Sequence, residues 1–332
     1  MRQSMRGAAL LAAMITVALV ATLAAAALWR QWRGVEVETS ERARVQASWI
    51  LGGALDWGRL ILSGDARESK ADHLGEPWAV PLEEARLSTF LAGGEASTET
   101  ERDAFLSGQI TDLQSRLNIM NLLLNQEKGT DDGKQPIDRF RRLFELLNLP
   151  ASELESLQRN LANAQAAMQN TDTQKNGDAP LMPQRFDQLV WLGLTPSTLE
   201  ALRPYATLLP LLNNSPTPVN LNTASAQVIY AAMPGLDLAG AEKLVSSRNS
   251  AYFSDIQKAL NTVQRSGGAT LTSDWVSTTT NFFEIRGRLR LDDVALQEIS
   301  VVQRINTPQQ RTVLTLWRQR TALTQADPNT GR

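Results

Sequence analysis

Apolar residues run unbroken from Ala8 to Leu28 (AALLAAMITVALVATLAAAAL), with no charge between Arg6 and Arg30. A helix of about 20 apolar residues rises roughly 30 Å, the thickness of a bilayer's hydrocarbon core. The pattern therefore predicts a membrane-spanning helix. From Trp29 the pattern becomes amphipathic: Gln31, Arg33, Glu36, Glu38, Glu41, Arg42 and Arg44 alternate with Trp32, Val35, Val45 and Trp49. That spacing carries one helix on into WILGGALDWGRLIL, against Gly34, Gly52 and Gly53, each of which costs ~1 kcal/mol relative to Ala in a helix. Residues 67–104 are punctuated by Pro77, Pro81 and the pair Gly93-Gly94, and predict irregular chain with a short strand. In FLSGQITDLQSRLNIMNLLL, Ile110, Leu113, Leu117, Ile119 and Leu122 recur in rough alternation, which predicts a strand or two, with a helix as the alternative.

Beyond Gln126 a polar link, EKGTDDGKQP, gives way to helical spacing: Ile137, Phe140, Leu143, Phe144 and Leu147 share a face, and Leu149-Pro150 ends it. Ser152 and Glu155 form a capping box for a second helix bearing Leu154, Leu157, Leu161 and Met168. Residues 170–184 read as a polar linker. Asp172, Asn176 and Asp178 fail the EF-hand template because Gln174 occupies a ligand position and no glutamate closes the loop. A helix with Phe186, Leu189 and Val190 ends at Gly193, and Thr195 caps the next, with Pro196 at its first position. In VNLNTASAQVIYAAMPGLDLAGAEKLVSSR, Asn222 or Thr223 caps one helix, Pro234-Gly235 turns, and Asp237 caps another. Ser254 and Gln257 suggest a further capping box.

The last part alternates with a period of two. In NFFEIRGRLRL, Phe283, Ile285, Leu289 and Leu291 point one way and Glu284, Arg286, Arg288 and Arg290 the other, a half-buried strand. Ile299, Val301 and Ile305 continue the alternation in a second strand. Val313, Leu314, Leu316 and Trp317 form a third after Asn306-Thr307-Pro308, and short links make the sheet antiparallel. A helical domain thus interrupts a sheet domain.

Three readings compete for the amino terminus. A cleaved secretory signal has an apolar region of about 7–15 residues followed by a small-x-small site, which Ala25 and Ala27 could mimic after a longer run. A plain signal anchor is the second. The third is a type IV prepilin leader, in which Gly7 and Ala8 are the cleaved pair and the whole helix stays on the mature protein. Arg2 and Arg6 precede the span, no acid appears before Glu36, and Arg30 and Arg33 follow, which favours a cytoplasmic amino terminus.

The chain has 332 residues and a formal net charge of −2, a balance that offers no electrostatic argument for nucleic acid. It has no cysteine, which excludes disulfides, thiolate metal sites and a cysteine nucleophile. The single histidine, His73, lies in the polar stretch DARESKADHLGEP and reads as a solvated loop residue. No Walker loop, H-E-x-x-H or G-x-S-x-G is present, and Asp131/Asp132 and Glu153/Glu155 read as solvated charges, so an enzyme is not expected. The hairpin around Pro234-Gly235 is similar to the helix-hairpin-helix of DNA-binding proteins. Here Asp237 replaces the second glycine, where a carboxylate repels phosphate, while Asp237, Glu242 and Asp255 oppose Lys243, Arg248 and Lys258.

On these residues the chain resembles protein K of the type II secretion system, the large minor pseudopilin family, over essentially its whole length. The likeness rests on the leader MRQSMRGAALL and on DLQSRLNIMNLL, where Arg116 and Asn118 fit an acidic-x-x-Gly-Arg-x-Asn-Leu-Asn-like segment and Ser115 replaces its glycine. It rests further on LVWLGLTPSTLEALRPYATLLP and on VNLNTAS with MPG following. The resemblance implies an α+β fold: a long amino-terminal transmembrane pilin-type helix, and an antiparallel sheet domain interrupted by a large all-α insertion that is SAM-like or helix-hairpin-helix-like. The expected division is 1–7 leader, 8–66 helix with the span at 8–28, 67–130 and 276–320 pilin-like sheet domain, 131–275 inserted helical domain, and 321–332 flexible tail. Ala8 is the candidate for N-methylation, and Ala12 stands where most pilins have a glutamate, a lack shared by family K.

The resemblance implies a pseudopilus tip complex with minor pseudopilins I and J, other pseudopilins, the inner-membrane secretion platform and the prepilin peptidase, and no nucleic-acid partner. The protein would sit in the inner membrane with a cytoplasmic amino terminus and its bulk in the periplasm. Family members bind calcium, but LANAQAAMQ stands where their acidic Asp-Trp-x-Asp stretch is expected, so no metal ligands are assigned. The alternative is a membrane-anchored periplasmic helix-hairpin-helix protein of DNA binding or uptake.

Overall fold

The structure, a computed structural model, describes residues 5–87, 104–124, 136–169, 179–263, 275–291, 294–307 and 311–323. Asp172, Asn176, Asp178 and the tail beyond residue 323 lie outside them. One helix, α1 (Met5–Glu68), runs through both the apolar and the amphipathic stretches. Gly34, Gly52 and Gly53 do not interrupt it, and a Cβ at any of the three would meet nothing within 4 Å. Every residue from 8 to 42 is exposed, whereas Ala43, Ala47, Leu51, Leu55, Leu62 and Ala66 are buried. That stripe has helical periodicity and marks the face laid on the sheet.

The sheet has five antiparallel strands in the order β1 (Leu82–Arg86), β2 (Ala104–Asp112), β7 (Phe282–Leu291), β8 (Val294–Asn306) and β9 (Arg311–Leu323). The numbers skip because the insertion contributes β3 to β6. Strand β2 pairs with β7 from Ala104↔Leu291 to Asp112↔Phe283, so the chain leaves the sheet at Asp112 and re-enters beside the same point. α1 lies across β7, β8 and β9. Two apolar clusters fill this interface, one around Ala47, Leu51, Leu106, Leu289 and Leu296, the other around Leu55, Leu62, Trp78, Phe283, Ile285 and Val302. Glycines bring the layers close: a Cβ on Gly287 would lie 2.9 Å from Leu51 Cδ1, and one on Gly58 would lie 3.1 Å from Ile285 Cγ2.

The insertion contains β3 (Leu117–Asn118), α2 (Pro136–Leu146), α3 (Ala151–Gln169), α4 (Pro196–Leu202), β4 (Ala206–Thr207), β5 (Val219–Asn220), α5 (Ala226–Ala232), α6 (Leu238–Ser250), α7 (Ile256–Thr262) and β6 (Val276–Ser277). β3 pairs with β4 and β5 with β6, both parallel. One core unites it, from Leu117 and Ile119 through Phe140, Phe144 and Leu157 to Val276. Its apolar packing therefore begins earlier in the chain than residue 131.

Local expectations are met at several caps. Gly193 adopts φ 103°, the left-handed conformation that ends the 3₁₀ turn Phe186–Leu192; Thr195 accepts the Thr198 amide ahead of Pro196; and Asp237 accepts the Gly240 amide. Others move by a few residues. Ser225, not Asn222 or Thr223, caps α5, because both of the latter are committed to bonds outside the helix. Asp255 rather than Ser254 caps α7, and α3 starts at Ala151, which places Ser152 inside its first turn. Residues 113–123 are mostly 3₁₀ turns, with strand only at β2 and the two residues of β3.

Strand β8 is covered on both faces. The residues facing α1 are Leu296, Glu298, Ser300, Val302 and Arg304, all buried, so Ile299, Val301 and Ile305 lie on the opposite face. There Val301 packs with Leu113, Leu209, Phe282 and Trp317 beneath the insertion. The apolar alternation in β8 thus marks the insertion-facing side, while the helix-facing side holds charges that find partners.

Two glycine substitutions should separate the roles of these positions in chemical denaturation of the detergent-solubilised protein. Gly287→Val pushes a branched side chain into Leu51 and should lower stability by about 1–3 kcal/mol. Gly53→Ala, on an open helix face, should raise it by up to about 1 kcal/mol.

Candidate functional site

Three places carry the functional argument: the start of α1, the joint between α1, sheet and insertion, and the hairpin around Gly235. Gly7 and Ala8 both lie in α1, with Ala8 exposed, and Ala12 is exposed on the apolar span. The most apolar 18-residue window of this helix has no residue buried inside the protein. Such a surface requires an apolar environment or partner helices, and its internally bonded backbone suits a bilayer.

The joint is built of buried polar side chains. Asp112, at the end of β2, accepts hydrogen bonds from the Gln114 amide (2.7 Å), Thr280 Oγ1 (2.7 Å), Asn220 Nδ2 (2.9 Å) and Thr223 Oγ1 (2.6 Å). Burial pushes its carboxyl up to about 6 from 3.8, opposed by the donors from Thr223, Thr280 and Asn220. Arg304 of β8 places Nη1 2.7 Å from Asp65 Oδ2 and Nη2 2.5 Å from Asp72 Oδ1, and donates to the Thr280 carbonyl at 2.8 Å. Burial raises Asp65 to about 6 and also raises Asp72, and the Arg304 charge acts against both shifts. Glu76 accepts the His73 amide (2.9 Å) and the Trp78 indole N–H (2.7 Å) through Oε2. His73 is stacked on Tyr252 of the insertion with ring centroids 3.9 Å apart, so it is a packed contact across the joint and not a freely solvated loop residue.

Four buried asparagines extend the joint into the insertion. Asn118 bridges Leu209 and Thr217; Asn121 pairs with both backbone groups of Thr217; Asn222 does the same for Phe253; and Asn220 reaches Asp72 O and Asp112. Each amide substitutes for a missing neighbouring strand, satisfying backbone groups that burial would otherwise leave costly. Sequence reasoning found Asn118 only as part of a family motif and missed Asp72, Glu76, Asp112 and Arg304. Spacing gave no signal for Asp72, Asp112 and Arg304, which bond residues far away in the chain.

The hairpin does not present a phosphate site. Gly235 takes φ 86° as a turn glycine, but the Asp237 carboxylate occupies the Gly240 amide at 2.8 Å. Arg248, counted among the nearby positive charges, donates to the carbonyls of Leu221 and Ala224, and burial lowers it to about 10. Lys258 donates to Ser254. Of these cations Arg248 is thus committed internally, while Lys258 stays exposed. On the other side of the insertion, a polar cleft lined by Arg116, Arg185, Arg203, Glu284 and Arg286 keeps its acids paired: Asp187 to Arg203 at 2.6 Å and Glu284 to Arg286 at 2.8 Å. At the carboxy end of α3, LANAQAAMQ offers no carboxylate, so those residues do not fit a calcium ion.

A long helix with a bare apolar half, laid by its other half on an antiparallel sheet, defines a membrane-anchored pilin-type subunit, here carrying a helical insertion. Models of the family described as type II secretion system (T2SS), protein K match residues 115–211 and 219–279. The type II secretion system protein K of Pseudomonas aeruginosa is 27% identical over 324 residues, covering 92% of this chain and 90% of that protein. The fold is also that of a chain in the crystal structure of the GspK-GspI-GspJ complex from the enterotoxigenic Escherichia coli type 2 secretion system, with a TM-score of 0.61 at 18% identity over 85% of this chain and 98% of that one. The chain belongs to the type II secretion system protein K family.

Truncating Asp112 to Ala leaves two amide and two hydroxyl donors without their acceptor, and should lower stability by at least about 1–3 kcal/mol. Replacing Arg304 with Met leaves two buried carboxylates unpaired and should cost about 3–5 kcal/mol, read as a lower midpoint in urea.

Proposed function

We propose that this chain is a minor pseudopilin of the type II secretion system, a structural subunit of the pseudopilus tip and not an enzyme. It joins the minor pseudopilins I and J in the complex that starts pseudopilus assembly for export across the outer membrane. Its span rests in the inner membrane with the amino terminus in the cytoplasm, and the sheet and insertion stand in the periplasm. The prepilin peptidase cuts between Gly7 and Ala8, and the new Ala8 amino group is the methylation candidate. The proposed division is a leader of 1–7, a helix of 8–66, a sheet domain of 67–130 with 276–320, an insertion of 131–275 and a tail of 321–332, with two shifts: the insertion's core also takes in Leu117, Ile119 and Leu122, and β9 runs on to Leu323.

One observation carries this reading: the insertion packs at the end of α1 opposite to the span. Asp72, just beyond Glu68, is tied to Thr280 at 2.7 Å, and through its carbonyl to Asn220. The helical mass therefore sits over the far end of the spine, where the next subunit of a filament would stack. Ala12 supports the same placement, because a subunit with none ahead of it needs no carboxylate for a neighbour's amino terminus, and a carboxylate in hydrocarbon is costly. The DNA reading has no comparable support, given the Asp237 carboxylate that occupies the Gly240 amide.

Intact mass and amino-terminal sequence of the membrane-extracted protein test the processing step. Cells with prepilin peptidase should yield a chain beginning at Ala8, and cells without it a chain beginning at Met1; Gly7→Leu should retain the leader in both. Cleavage near Ala27 would remove the pseudopilin reading. A tagged chain should also carry pseudopilins I and J through detergent purification, and should show no salt-dependent affinity for duplex DNA.

A further inference from the structure

We propose that the cleft between the insertion and the sheet, on the face away from α1, binds an acidic peptide segment of a partner protein, with Arg116 receiving its carboxylate. The cleft has a volume of about 290 Å³, near the lower end of the roughly 300–1,000 Å³ of ligand sites, which suits a short segment. Arg116 enters it from the chain after β2, Arg185 and Phe186 from the start of the turn Phe186–Leu192, and Arg203 from the end of α4. Glu284 and Arg286 of β7 and Trp317 of β9 line it from the sheet.

Arg116 is the one cation of this cleft with no side-chain partner among the described residues. Arg203 stands 2.6 Å from Asp187 and 2.8 Å from Glu200, Arg286 stands 2.8 Å from Glu284, and Arg185 donates to the Gln319 side-chain oxygen at 2.9 Å. The Arg116 guanidinium, though half-buried, donates no hydrogen bond and forms no ion pair among those residues. Leaving it so is costly, and burial lowers its pKa, with the Glu284 charge acting against the shift. Glu284 does not answer the need, being held by Arg286, and neither does Asp112, whose oxygens accept from four donors.

Charge balance selects the ligand class. Four arginines meet three carboxylates, Asp187, Glu200 and Glu284, which leaves one positive charge for one carboxylate. A doubly charged phosphate would exceed that and lie near Asp187 and Glu284, where like charges repel. The planar guanidinium can donate two parallel hydrogen bonds to a carboxylate, a pairing that fixes orientation as well as charge. Phe186 and Trp317, both half-buried, add apolar walls that a small hydrated anion would leave uncovered and that a neighbouring side chain of a peptide would cover. A seated segment would touch insertion and sheet together, and so stabilise the folded chain by mass action.

The test uses the full chain in nonionic detergent and two dye-labelled peptides, one of alternating glycine, phenylalanine and glutamate, the other with glutamine in place of glutamate. Fluorescence anisotropy should show saturable binding of the glutamate peptide, at least about tenfold tighter than that of the glutamine peptide, since only the former offers a charge-assisted pair. Arg116→Gln should weaken the glutamate peptide at least about tenfold, leave the glutamine peptide unchanged, and not lower the Tm, because the charge it removes has no partner to strand. Arg185→Gln, on the exposed rim, should weaken the glutamate peptide likewise and serves if Arg116→Gln fails to fold. No saturable binding, or equal affinity for the two peptides, overturns the proposal, as does full binding by the folded variants. Displacement of the peptide by an equal concentration of inorganic phosphate or acetate overturns the assignment to a peptide segment.

Discussion

Burying charge at one point fixes how the pieces of this molecule meet. Arg304 comes from β8, Asp65 from the last turns of α1, Asp72 from the chain just beyond, and the Thr280 carbonyl from the segment that leads out of the insertion. Removing such ions from water costs several kcal/mol each, and only close, well-aligned partners offset that. Because the guanidinium is a planar fork with fixed donor directions, its partners are held to one relative placement. Close packing at Gly58 and Gly287 sets how α1 lies on the sheet, and the charged end of β8 reinforces that register, because a slide would strand Asp65 and Arg304 in a dry interior.

The spine can be long because its two halves answer to different surroundings. Residues 8–42 are exposed and need no protein partner of their own, since an α-helix satisfies its backbone internally wherever it lies. Residues 43–66 instead bury a narrow stripe against β7, β8 and β9. Small residues at Ala43, Ala47 and Gly58, with Gly287 opposite, let that stripe approach the sheet closely enough for leucines to interlock. One continuous helix thus carries both the span and the packed stripe.

Much of this was readable from residue order. The span, the helical continuation, the strand at Phe282–Leu291 and the caps at Thr195 and Asp237 all follow from periodicity and local hydrogen bonding, which act over a few residues. The joint was not readable, for a physical reason: Asp112 is bonded to residues more than a hundred positions away, and nothing in AFLSGQITDLQS distinguishes it from a solvated aspartate. The strand β8 was readable from Ile299, Val301 and Ile305, but not which of its faces meets α1, because both are covered, one by α1 and one by the insertion. Ser225 displaced the expected caps of α5 because Asn222 and Thr223 were already tied to Phe253 and Asp112, while at α7 it is Asp255 that accepts the Lys258 amide.

The hairpin shows how a shared local fold can lose an interaction through two side chains. Pro234-Gly235 makes the turn, and a helix follows, which is the geometry that elsewhere offers free amides to phosphate. In this chain the Gly240 amide of α6 meets the Asp237 carboxylate, which caps the helix at its own start. Arg248, near the carboxy end of α6, turns inward to the carbonyls of Leu221 and Ala224, in the N-x-N-T-A segment. Both changes convert groups that could face a ligand into groups that hold the insertion together. With Asn220 and Asn222 fastened to Asp112 and Phe253, the segment serves as a brace between the helical core and the sheet. A domain braced in this way is closed on itself and fixed beyond the carboxy end of α1.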